Sequence, residues 1–246
     1  MTFDILIKKG TVIDGVGNQP YTADIGISGQ QIKAIGALSD ARAKQTIDAS
    51  GLYVSPGFVD IQNHSDSYLT IMESPTMDSL VTQGITTILV GHCGTSLAPL
   101  PSPEALKSIQ KWRSLAGANI NWQTFAEYLK TMEGYPLGVN VASLVGHATV
   151  RRGILGDQLR IMTREEIKII EDVLLRSFDA GSAGVSLGLV YAHEVNSSED
   201  ELLSVAKMAA SRGKILSAHL RSEGSQIVPA LSEVIGLAEK AHIHFT

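Results

Sequence analysis

The stretch Pro56-Gly57-Phe58-Val59-Asp60-Ile61-Gln62-Asn63-His64-Ser65-Asp66 decides the fold. A Pro-Gly break precedes a short run of β-forming apolar residues, and the run ends in polar ones. That pattern predicts a buried strand that delivers His64 and Asp66 to its C-terminal edge. The same ending recurs downstream. Thr86 to Val90 leads into His92 and Cys93, and Val139 to Val145 leads into Gly146 and His147. Ile215 to Ala218 leads into His219, Arg221 and Glu223. Soft metal ligands and carboxylates at the C-terminal ends of parallel strands are how a βα-barrel active site reads in sequence.

Upstream of this stretch the chain has a different character. Phe3 to Lys8, Thr11 to Ile13, Ala23 to Ile27, Gln31 to Ile35, Gln45 to Asp48 and Leu52 to Val54 are short β-forming runs. Lys9-Gly10, Asp14-Gly15, Ser28-Gly29 and Ser50-Gly51 read as turns between them. Residues 1–55 therefore read as a small all-β unit.

Downstream, strands alternate with helices. Strands are expected at Phe58 to Gln62, Thr86 to Val90, Val139 to Val145, Gly184 to Val190 and Lys214 to Leu220, with a sixth starting at His242. Helical patterns fall at Thr76 to Gln83, Glu104 to Leu115, Trp122 to Met132, Thr163 to Ala180, Ser197 to Arg212 and Ser225 to Lys240. Ser102, Asn121 and Thr163 are the expected N-caps, the last within the capping box Thr163-Arg164-Glu165-Glu166. Such alternation predicts a parallel sheet. An open doubly wound sheet would carry a glycine-rich phosphate turn after its first strand, and none is present. The reading is a (β/α)8 TIM barrel over residues 56–246, incomplete at five to six βα units, beside the small β unit. The chain is thus expected to be the front portion of a longer protein.

Composition excludes several classes. The 246 residues carry a net charge of −5 and no basic cluster, so no nucleic-acid partner is expected. No apolar run is long enough to span a bilayer, and Met1-Thr2-Phe3-Asp4 does not open a signal peptide. One cysteine, Cys93, excludes an internal disulfide framework and suits a reducing cytoplasm.

Several stretches carry a family likeness. They are Gly10-Thr11-Val12-Ile13-Asp14-Gly15, Pro56-Gly57-Phe58-Val59-Asp60, Gln83-Gly84-Ile85-Thr86-Thr87 and Gly184-Val185-Ser186-Leu187-Gly188-Leu189-Val190-Tyr191. The most specific are His92-Cys93-Gly94-Thr95-Ser96-Leu97-Ala98-Pro99 and His219-Leu220-Arg221-Ser222-Glu223. With these the chain resembles the D-aminoacylase (N-acyl-D-amino-acid deacylase) family of the amidohydrolase superfamily. The resemblance implies a zinc hydrolase on a βα-barrel with a small β-sandwich, acting on a small N-acyl amino acid. It matches Cys93 and His219 to zinc ligands and Tyr191 to a substrate-binding tyrosine. His64 matches the second residue of a His-x-His pair, whose first position here is Gln62. Arg221, Glu223 and Asp66 would orient these ligands. A further zinc histidine and the catalytic aspartate would lie beyond Thr246.

The chemistry explains the residue types. Thiolate and imidazole suit zinc better than magnesium or calcium. A catalytic zinc keeps an open position, lowers the pKa of bound water to about 7 and polarises an amide carbonyl. Gln62, a neutral amide, is a poor ligand, so a second metal near His64 should be weakened. Each residue also has an ordinary reading. A lone cysteine is usually a small buried apolar group, His64 and His147 can be hydrogen-bonded strand-end histidines, Tyr191 a packed aromatic, and Arg221 with Glu223 a plain ion pair. His92, His193, His242 and His244 read as structural or solvated. Two other functions fit the pattern: a dihydropyrimidinase-like cyclic-amide hydrolase, and a non-catalytic relative that binds acylated amino acids or another subunit. The acyl group and the oligomeric state are not legible in these residues.

Overall fold

A computed structural model describes residues 1–110, 114–115 and 118–243. The chain divides into two compact units, Met1–Phe58 and Val59–Thr246.

The first unit is one five-stranded sheet. Strands β1 (Thr2–Val12), β2 (Tyr21–Ser28), β3 (Gln31–Gly36) and β4 (Arg42–Asp48) lie in the order β3-β2-β1-β4, and β5 (Tyr53–Val54) also pairs with β1. β1 runs antiparallel to β2 and parallel to β4. Val12, Ala23 and Ile25 form its buried cluster. Lys9-Gly10 is a bulge inside β1, not the expected turn: the register with β2 shifts between Ile7 and Gly10. Lys9 takes the left-handed conformation (φ 60°), and its N–H donates to Asp24 Oδ1 at 2.8 Å. The strand absorbs an extra residue and continues.

In the second unit β6 (Phe58–Asp60), β7 (Ile85–Val90), β8 (Asn140–Gly146), β9 (Gly184–Gly188) and β10 (Ile215–His219) form a curled sheet in the order β10-β9-β8-β7-β6. β7 to β10 pair parallel. Each strand lies beside its neighbour in sequence, the order of a barrel and not the reversal of a doubly wound sheet. The connecting helices are α1 (Thr70–Glu73), α2 (Asp78–Val81), α3 (Pro103–Gln110), α4 (Phe125–Met132), α5 (His147–Leu155), α6 (Arg164–Asp179), α7 (Glu199–Ser211) and α8 (Ile227–Ala241). The strands supply Ile88, Val90, Val145, Leu187 and Leu216 to the core, and the helices supply Phe125, Val150, Leu174, Val205 and Val234. No described helix is long and apolar enough to cross a membrane.

Several local expectations are corrected. Among the described residues β6 is not buried: it ends the sheet beside β7, and Phe58, Val59 and Ile61 are largely exposed. It also ends at Asp60, short of Gln62. The helix expected over Thr76 to Gln83 is the single turn α2, because Met77 takes the left-handed conformation (φ 48°) ahead of it. Thr124, not Asn121, caps α4, through a complete capping box with Glu127. Helix α5, which the sequence reading left out, follows β8 directly. The expected sixth strand falls mostly on residues 244–246, outside the described residues. Its first residue, His242, is the left-handed C-cap of α8. Residues 111–113 of the expected Glu104 to Leu115 helix are likewise outside, and α3 is described to Gln110.

Candidate metal centre

The turn after β7 carries the sulfur. Gly91 (φ 85°), Cys93 (φ 57°) and Gly94 (φ 72°) all take the left-handed conformation. For cysteine this costs on the order of 1 kcal/mol or more, and it persists only where the surroundings over-determine it. They do so here. Ser186, in the middle of β9, donates its hydroxyl to Gly91 O and accepts from Gly94 N at 3.1 Å. Gly94 O accepts from Thr149 N of α5 at 3.1 Å.

Around the sulfur the strand ends converge. Cys93 Sγ lies 3.4 Å from His219 Nδ1 at the end of β10 and 4.0 Å from His64 Nε2. Tyr191 Oη is 3.5 Å from the same His219 nitrogen. Burial, then the neighbouring Cys93, push the Tyr191 phenol up to about 12, so it stays protonated and able to donate. Glu223 Oε1 is 3.2 Å from His219 Nε2 on the other side of the ring. Cys93, His219 and Glu223 line a cavity of about 250 Å³ together with Ile61, Gln62 and His92, whereas His64 and Tyr191 are not among its lining residues.

A thiolate and an imidazole on one tetrahedral zinc sit about 3.6 Å apart, given bonds of about 2.3 and 2.1 Å. The two sulfur–nitrogen distances, 3.4 and 4.0 Å, bracket that value, so the donor set fits zinc in kind and spacing. Among the described residues no three His, Cys, Asp or Glu side chains already close on one ion. Cys93 with His219 is the pair nearest to bonding separation.

The remaining candidates fall elsewhere. Arg221 does not pair with Glu223. It forks onto Glu233 of α8 (2.9 and 2.7 Å) and donates to Val195 O at 2.6 Å. β10 ends at His219, so residues 221 and 223 lie in a loop and the strand alternation that would align them does not apply. Asp66 is fully buried and does not line the cavity. Burial pushes its carboxyl up to about 7, against the opposing pull of the Ser67 and Gly91 N–H groups. His92 is structural: its ring nitrogens lie 3.2 Å from Ser217 Oγ and 3.1 Å from Leu89 O, and burial holds its pKa below the usual histidine range.

His147 opens onto a buried ionic chain that the sequence did not reveal. Its Nδ1 is 2.5 Å from Glu194 Oε1. Its Nε2 is 3.1 Å from Glu201 Oε1, close enough for charge attraction but off the hydrogen-bond axis. Arg151 Nε donates to the same Glu201 oxygen at 2.8 Å. All four side chains are fully buried. Burial alone would depress the His147 pKa, yet the two carboxylates outweigh it and raise the pKa to about 9. Glu194 and Glu201 belong to a loop and a helix 47 and 54 residues beyond His147, and no local sequence signal marks the contact.

A cysteine and two histidines gathered beyond the C-terminal ends of a sequentially ordered parallel sheet place the chain in the class of βα-barrel proteins with a candidate metal site. The chain belongs to the amidohydrolase family, whose profile matches residues 45–231. It is 36% identical to a D-aminoacylase of Alcaligenes xylosoxydans xylosoxydans over 98% of this chain and 49% of that protein. It is also 36% identical to an N-acyl-D-glutamate deacylase of the same organism, over 96% of this chain and 48% of the relative. The structure of the N-acyl-D-glutamate deacylase from Bordetella bronchiseptica, complexed with zinc and a phosphonate inhibitor, superposes with a TM-score of 0.90 at 33% identity, covering 100% of this chain and 51% of that one. The chain thus spans about half the length of the relatives it matches. Hydantoinase structures share the fold alone, with a TM-score of 0.62 and 18% identity for one of them.

Proposed function

We propose that the protein is a zinc-dependent hydrolase that cleaves the amide bond of N-acyl-D-amino acids in the cytoplasm. The observation that carries this reading is the Cys93 sulfur set between the His219 and His64 imidazoles, with the Tyr191 hydroxyl against His219. Cys93 and His219 would hold the metal, with His64 a further donor. When bound, zinc supplies an activated water and a Lewis acid for the scissile carbonyl. Tyr191, kept protonated, donates a hydrogen bond to the substrate. Glu223, 3.2 Å from His219 Nε2, supplies negative charge on the far side of the ring, where carboxylates behind metal-bound histidines commonly sit. The test is purified full-length protein, zinc analysis and release of free amine from N-acetyl-D- and N-acetyl-L-amino acids. About one tight zinc per chain and D-selective release are expected. A metal-free protein that binds these compounds without turning them over would overturn the reading in favour of a binding-only relative.

Gln62 lines the cavity beside Cys93, at the place where a second imidazole would complete a pair with His64. A D-aminoacylase structure at 32% identity describes activation by one metal and attenuation by a second. By the same logic Gln62→His should raise occupancy of a second, weaker metal and lower turnover at high zinc. Unchanged stoichiometry by elemental analysis at saturating zinc would remove the idea that Gln62 tunes the site.

A further inference from the structure

Glu194 lies in the loop between β9 and α7, fully buried and away from the cavity. Its Oε2 accepts the Gly188 N–H at 2.6 Å and its Oε1 faces His147 Nδ1 at 2.5 Å. The carboxylate also packs against the Cys93 turn: a Cβ on Gly94 would stand 2.0 Å from Glu194 Oε2. Gly188 is equally crowded, since a Cβ there would stand 2.3 Å from Cys93 O and 2.7 Å from Tyr191 Cδ2. The Cys93 carbonyl, the Tyr191 ring and the Glu194 carboxylate therefore converge on one glycine. Behind Glu194 the charges alternate through His147, Glu201 and Arg151.

We infer that Glu194 is a positioning residue for the metal site, holding the left-handed Cys93 turn and the Tyr191 loop in register through Gly188 and Gly94. This rests on the reading of Cys93 as a zinc ligand. A carboxylate suits the task because it offers acceptors on both sides, one to a backbone N–H and one to an imidazole N–H. Glutamine has one acceptor oxygen, and its amide donors would confront one of those two donors. Groups that orient metal ligands typically contribute 10- to 100-fold in metal affinity or activity.

The test compares Glu194→Gln and Glu194→Asp with the parent, as full-length holoprotein. Zinc affinity is read by chelator competition. Alkylation of Cys93 by iodoacetamide, followed by mass spectrometry of its peptide, is timed with zinc bound and after its removal. Glu194→Gln should weaken zinc roughly 10- to 100-fold and shift the metal-free alkylation rate several-fold, with Glu194→Asp recovering part of both. A Gln variant with parental zinc affinity and parental alkylation, changed only in melting temperature, would reduce Glu194 to packing and overturn the inference. Should the Gln variant fail to fold, parental values in Glu194→Asp overturn it equally. If zinc does not protect Cys93 in the parent, the zinc-ligand reading fails instead, and the metal-free alkylation rates still decide whether Glu194 sets the turn.

Discussion

Replacing Cys93 with glycine or alanine in the full-length protein is expected to abolish tight zinc binding and lower amide hydrolysis by at least about 10³-fold. The metal's charge and its activated water are worth several kcal/mol in the transition state, and each factor of ten is about 1.36 kcal/mol. The sulfur that lies 3.4 Å from His219 and 4.0 Å from His64 would be gone, and with it the one thiolate donor of the proposed set. The fold should persist. Glycine accepts φ 57° without strain, which offsets much of the burial lost with a small side chain. The melting temperature of Cys93→Gly should therefore stay within a few degrees of the parent measured without metal. Retention of near-parental turnover in either variant would show that the sulfur is not a ligand.

The second large effect concerns stability. Arg151→Met should destabilise the protein by about 3–5 kcal/mol, because it leaves the buried Glu201 carboxylate with the Ser197 hydroxyl and the off-axis His147 in place of the guanidinium. That corresponds to a fall in melting temperature on the order of 10 °C. Arg151 also donates to the carbonyls of His193 and Arg160, and methionine can reach neither. The same network sets a pH dependence. His147 titrates near 9 in the folded chain and near 6.5 when unfolded. Its stabilising contribution is fully present below about 6.5 and is lost as the pH rises through about 9. The loss is on the order of 3 kcal/mol at 1.36 kcal/mol per pKa unit. Urea unfolding at pH 6, 7.5 and 9 should show the midpoint falling. A flat profile would mean that His147 carries no proton.

What was legible in the chain was whatever depends on neighbours in sequence. The βα alternation, the Thr163–Glu166 capping box and the strand-end positions of Cys93 and His219 all follow from local pattern. Helix α5 was hidden because His147, Thr149 and Arg151 are buried in it alongside Ala148, Val150 and Leu155. Burial periodicity cannot be counted where ions satisfy one another inside the core. The capping residue of α4 was displaced because Asn121 and Thr124 are both good caps. Only the reciprocal bond from Glu127 distinguishes them. Glu194 left no trace, since its partners Gly188, His147 and Gly94 are brought together by three different strand ends.

The sequential strand order has a consequence for synthesis. Cys93 and His219 are 126 residues apart in the chain. At about 5–20 residues per second, the ribosome takes roughly 6 to 25 s to pass from one to the other. β7, β8 and β9 can pair in turn as they emerge, each onto the strand before it. During that interval the nascent chain presents the Cys93 side chain without His219 beside it. On the proposed assignment, the Cys93–His219 pair is complete only once β10 has joined the sheet.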